Sequence, residues 1–176
     1  ANIIIPETAD AVIRRTASDI QNVFQEMTGA KLAIETDAAA CEGRRILLGK
    51  TKFSEQIVSS SEAENLGKEG FIIRTKGDDL VLAGGSSSYA VAYAASELFD
   101  MLGCRWYMEG ELGKEIPTTS TIQFKDMNIR RVPSFEMRYV GVNTEWNLRN
   151  RTNYIDEPGL PPAYGVLPKG SHPMSQ

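Results

Sequence analysis

Between residues 10 and 28, apolar side chains recur at a period that only a helix satisfies. Ile13, Ala17, Ile20, Phe24 and Met27 follow one another at steps of three and four, while Arg14, Arg15, Asp19, Gln21 and Gln25 fall elsewhere on the wheel. This is an amphipathic helix of about five turns with one buried stripe. Thr8 or Asp10 can cap its start, and Gly29 ends it. A second stripe, Val91, Ala94, Ala95, Leu98 and Leu102, closes at Gly103. Around the two helices lie short β-branched or apolar runs at 2–5, 32–36, 45–49, 70–75, 80–83, 105–107 and 121–124, which read as strands. The run at 45–49 is continuous and apolar, as in a central strand, and the Gly77-Asp78 step between 70–75 and 80–83 signals a hairpin. Residues 52–66 suggest a short irregular helix. The expected fold is α+β: a two-layer mixed β-sheet with both long helices on one face.

Composition narrows the function. The 176 residues carry 41% hydrophobic and 24% charged side chains, as in globular proteins, and no apolar stretch is long enough to span a bilayer. A net charge of −4 disfavours a nucleic-acid partner held by phosphate neutralisation. One histidine, His172, and two cysteines, Cys41 and Cys104, are too few for a His-rich or Cys-rich metal site, so no metal and no cofactor is expected. The two cysteines could form one bridge in an exported protein or stay as thiols, and the sequence leaves both open. The chain starts at Ala1 with neither a basic nor an apolar leader region, so a signal peptide is expected to be absent or already removed.

After residue 128 the character changes. Residues 128–134 read as a linker ending in a proline turn, and 135–142 could form a strand. Residues 143–176 hold five of the eight prolines and show no sustained period. The expected division is a domain over 1–128, then a linker and the unfinished start of a second unit over 129–176.

Candidate chemistry is sparse. The run 84–88, Gly-Gly-Ser-Ser-Ser, opens the second helix, where free N–H groups could meet an anion, but it is neither a P-loop nor a dinucleotide fingerprint; a tight turn with a serine cap is the plainer reading. Asp78-Asp79 and Asp156-Glu157 spell paired carboxylates, the material of glycosidic acid–base work. The first pair sits in a hairpin turn and the second in the Pro-rich tail, neither of which suggests a walled pocket. Trp106 and Tyr107 follow a helix in a strand, where core packing is expected. Trp146 lies among polar residues and is the better stacking candidate, with Tyr154 and Tyr164 further on.

One set of motifs resembles a known family. Residues 80–85 (Leu-Val-Leu-Ala-Gly-Gly), 89–93 (Tyr-Ala-Val-Ala-Tyr), 98–107 (Leu-Phe-Asp-Met-Leu-Gly-Cys-Arg-Trp-Tyr) and 115–117 (Glu-Ile-Pro) are similar to the N-terminal accessory domain of family 20 β-N-acetylhexosaminidases. They resemble still more closely the corresponding domain of α-glucuronidase-like and large bacterial glycoside-hydrolase-like proteins. The opening strand, the Glu26-Met-Thr-Gly29 step and Ile46-Leu-Leu-Gly49 agree, so the resemblance covers roughly residues 1–140. It implies a zincin-like fold without a zinc site, consistent with the absence of His-Glu-x-x-His. It also implies that residues 132–138 lead into the first strand of a (β/α)8 barrel, with Arg138 matching a sugar-contacting arginine. Asp156-Glu157 imitates the family 20 catalytic pair in spelling but sits too early in the barrel, so no catalytic residue is assigned.

The resemblance therefore implies a non-catalytic accessory domain of a secreted or periplasmic bacterial glycoside hydrolase, partnered by the barrel of the same polypeptide. Arg138 and Trp146 are the candidate substrate-binding residues. The alternative is a carbohydrate-binding module, with glycans as partner and Trp146, Tyr154 and Tyr164 as platforms. A hydrolase built on Asp78, Asp79 or the tail acids is the third reading.

Overall fold

Every second residue of the strands Asn2–Ile5, Arg45–Leu48 and Asp79–Gly84 points to the same side, and the two sides are buried by different partners. The computed structural model describes residues 1–39, 43–108, 111–135, 138 and 149–151. Its main sheet has six strands in the order β2 (Ala33–Thr36), β1 (Asn2–Ile5), β3 (Arg45–Leu48), β5 (Asp79–Gly84), β4 (Phe71–Lys76), β8 (Asn128–Arg131). The β2–β1, β1–β3 and β3–β5 pairs are parallel, and β4 runs antiparallel to both β5 and β8. Ile3, Ile46 and Leu80 lie in one register row, and Ile4, Leu47 and Val81 in the next.

The first row faces the long helices, α1 (Ala11–Thr28) and α3 (Tyr89–Met101), in one large core with Ile20, Phe24, Leu98 and Phe99. Both helices therefore cover one face of a mixed sheet, as their stripes require. The second row faces the other way and packs with Val58 and Leu66, flanked by Phe53 and Ile57. These flank a 3-10 turn (Ser54–Gln56) and the short helix α2 (Ser60–Glu64), the irregular helical stretch expected at 52–66. The sheet is thus covered on both faces, one by long helices and one by a thin strap.

Local chemistry sets the ends of the elements. Asp10 caps α1 by accepting from the Ile13 N–H (2.9 Å), and Gly29 closes it at φ 76°. Helix α2 starts with a reciprocal capping box between Ser59 and Glu62. Arg74 also donates to Glu62 (2.8 Å), and together with the Ser59 donors it holds the Glu62 carboxyl down to about 2. A depressed acid contributes stability above its unfolded value and loses it as pH falls through the folded one. Glu62 is partly exposed, so this contribution is about 1 kcal/mol after solvent screening. Between pH 5 and pH 2 the urea midpoint of Glu62→Gln is therefore expected to fall less than that of the parent chain.

Two segments differ from the sequence reading. Residues 121–124 form no strand; Ile122 and Phe124 pack against the helix-side core, with Phe124 6.4 Å from Phe24. The expected linker instead begins as β8, because the free edge available to the chain is that of β4. Helix α3 is also buried nearly all round, from Ala90 to Ser96 and at Leu98 and Phe99, where a single stripe was expected. Its alanines let α1 and the sheet approach closely. A small hairpin, β6 (Arg105–Trp106) with β7 (Lys114–Glu115), follows α3. Among the described residues no helix is long and apolar enough to cross a membrane.

Candidate functional site

Two places could carry function: a hollow at one end of the sheet and a seam of arginines along α3. The hollow lies beyond the carboxyl ends of β1, β3 and β5, lined by Pro6, Asp10, Gly49, Lys50 and Gly84–Ser88. It encloses about 240 Å³. Chain order reverses between β1 and β3, so it occupies the switch point where open α/β sheets commonly bind ligands. The backbone donors of its glycine–serine loop, however, are already engaged. The N–H groups of Gly85, Ser86 and Ser87 donate to the carbonyls of Gly70, Gly67 and Lys68 (2.9, 3.0 and 3.0 Å). Ser88 makes no side-chain cap to its own helix and donates to Asp10 instead, at 2.5 Å. The chain's own carboxylate thus stands between the starts of α1 and α3, where an anion would have to sit. The 84–88 loop is a packing turn and offers no phosphate cradle.

The paired acids at 78–79 lie at the opposite end of the sheet from this hollow. Asp79 is held by Arg45 through two bonds of 2.7 Å, and Asp78 pairs with Arg44 at 3.4 Å on the surface. Both carboxylates are matched to cations in an open hairpin turn, which is a structural arrangement and not a hydrolytic one. No group of metal-binding side chains occurs among the described residues. Cys104 is a buried free thiol, 3.9 Å from the Met27 sulfur, and burial pushes it up to about 11, so it is protonated and inert at neutral pH. Asp156, Glu157, Trp146, Tyr154, Tyr164, His172 and Cys41 lie outside the described residues.

The second place is built by Arg131, the last residue of β8, and by arginines beyond it. Arg131 reaches Glu97 on α3 (3.6 Å), and Arg151 reaches both Glu97 (3.4 Å) and Asp100 (2.6 Å). Arg149 pairs with Asp19 on α1 (3.3 Å) and lies over the rings of Trp106 (4.6 Å) and Phe99 (5.3 Å). Trp106 in turn packs on Phe99 at 5.7 Å, the core fate expected for it, while Tyr107 is exposed. Arg138 donates to Glu69 (2.5 Å), to the Phe135 carbonyl (2.7 Å) and to the Arg151 carbonyl (3.2 Å). Arg138, Arg149 and Arg151 are therefore tied by charge to the 66–70 loop, α1 and α3 respectively.

The residue singled out by resemblance, Arg138, sits in this seam, and a sugar hydroxyl reaching it would compete with those three acceptors. The seam as a whole was not visible in the sequence. Its signal was the density of arginines after 129 set against Glu97 and Asp100, three positions apart on one edge of a helix. Glu69 is almost fully buried, so Arg138→Ala would strand its charge. We expect a loss of about 3 kcal/mol in urea unfolding, and Arg138→Lys, which keeps the charge but loses the fork, should recover part of it.

The described residues thus form an α+β domain, a mixed sheet with two long helices on one face. The family model described as glycosyl hydrolase family 67 N-terminus matches residues 1–98, and the chain belongs to that family. Among solved structures it is similar to a family GH115 4-O-methyl-α-glucuronidase, BtGH115A, with specificity for decorated arabinogalactans: TM-score 0.66 and 19% identity over 86% of this chain. A Streptomyces plicatus N-acetyl-β-hexosaminidase matches at TM-score 0.49 and 13% identity over 77% of this chain. At 19% identity the likeness to the GH115 enzyme is one of fold. The chain spans only 24% and 23% of those two proteins. No curated protein sequence matches it.

Proposed function

We propose that this chain is a non-catalytic accessory domain that supports the catalytic barrel of a secreted or periplasmic bacterial glycoside hydrolase acting on complex glycans. The family match supports the accessory role. The observation that carries the supporting role is the arginine seam, in which Arg131, Arg149 and Arg151 pair with acids on both long helices. A domain whose outgoing chain is strapped down by several ion pairs holds whatever follows it in a fixed orientation, at the cost of ordering long side chains.

Under this reading the fold is the zincin-like shape without its metal, the domain runs on through β8, a few residues past the expected boundary at 128, and the residues from there to 176 are the linker and the first strand and loop of the barrel. Arg138 and Trp146 then stand at the approach to the barrel, where the parent's sugar substrate would be met. The chemistry belongs to carboxylates on later barrel strands, because such sites gather loops from several strands. Incubation of the purified chain with chromogenic N-acetylhexosaminides and glucuronides is expected to give no release above buffer. Turnover that survives repurification and is lost on Asp79→Asn would replace this proposal with a hydrolase reading.

A further inference from the structure

The hairpin β6–β7 shows large apolar groups to solvent although its base is firmly tied down. Tyr107 and Met108 are 69% and 60% exposed, and Leu112 is fully exposed. Met101, in the last turn of α3, is 48% exposed. The same hairpin is anchored on the protein side. Lys114 bridges Glu26 (3.0 Å) and Glu111 (2.8 Å), the Tyr107 N–H donates to the Gly113 carbonyl (2.8 Å), and Trp106 packs on Phe99. Tyr and Met side chains turned outward beside a tied-down base have the composition of an interface core.

The arginine seam says what meets it. Arg149 lies on the ring of Trp106, the residue before Tyr107, and Arg151 is held by Asp100, the residue before Met101. The chain that leaves the domain is therefore already seated at the base of the apolar turn. We infer that Tyr107, Met108, Leu112 and Met101 form the surface on which the catalytic module of the same polypeptide docks, continuous with the seam. This rests on the accessory-domain reading and assigns it a contact surface.

The test compares amide exchange at Tyr107, Met108 and Leu112 in this chain and in the full-length product of its reading frame. Docking predicts at least tenfold slower exchange in the full-length protein. It also predicts that the triple variant Tyr107→Ser, Met108→Ser, Leu112→Ser removes the slowing and splits the thermal unfolding of the full-length protein into two steps. The variant's melting temperature within the 176-residue chain should stay within a few degrees of the parent, since these side chains touch solvent there. Equal exchange in both proteins, with a barrel present, would overturn the docking surface and leave the accessory role standing. A reading frame with no barrel would overturn both. Sedimentation of this chain as a dimer that the triple variant makes monomeric would assign the patch to a second copy and overturn the inference.

Discussion

Leu98→Asp is expected to abolish the cooperative unfolding transition of the chain at 25 °C. Leu98 has no exposed surface and belongs to the core that joins α3 to β4 and β5. Removing its side chain alone would cost about 2–5 kcal/mol through lost transfer and the cavity left behind. The aspartate adds a charge with no cation in a site lined by Ile, Leu and Phe, which costs several kcal/mol more or forces the group to protonate. A domain of this size has about 5–15 kcal/mol in all, so little or nothing remains. Circular dichroism melting checks it, with Leu98→Ala as the control that should lower the transition without erasing it. An unchanged melting temperature for Leu98→Asp would show that α3 does not bury this face.

Gly85→Ala should be nearly as damaging, for a different reason. A methyl group there would lie 2.0 Å from the backbone carbonyl oxygen of Gly67, and 3.0 Å from its carbon. Neither atom can yield alone, because the 67–70 loop accepts the hydrogen bonds of Gly85, Ser86 and Ser87. The loop must withdraw and surrender those bonds, at about 3 kcal/mol or more. Gly77→Ala separates this from ordinary glycine strain: nothing lies within 4 Å of its added methyl, and only its φ of 60° is unfavourable, for about 1 kcal/mol. Urea unfolding of the two variants should therefore differ by about 2 kcal/mol; equal losses would mean that the two loops are not in contact.

Gly85 also shows why the functional reading of residues 84–88 could not be settled from the sequence. Glycines and serines before a helix are the same letters whether they cradle a phosphate or pack against a neighbouring turn. What decides is where the N–H groups point, and here a loop some 15 residues earlier consumes them. The same applies to Asp10. Its place as the cap of α1 was legible, but its bond to Ser88, 78 positions away, was not.

The elements that the sequence determined by itself are those whose burial repeats along the chain. The stripe of α1, its stop at Gly29, the central place of β3 and the β4–β5 hairpin all follow from local period and turn chemistry. The family motifs were legible too, and they lie along β5, α3 and the β6–β7 hairpin. The tertiary structure decided what depends on pairing between distant residues. It placed a strand at 128–131 and not at 121–124, since a strand needs a free edge and β4 supplies one. It also assembled Glu69, Glu97, Asp100 and Asp19 with Arg138, Arg131, Arg151 and Arg149 into one seam. Period is a property of neighbours in the chain, whereas an ion pair or a sheet edge depends on where the rest of the chain has gone.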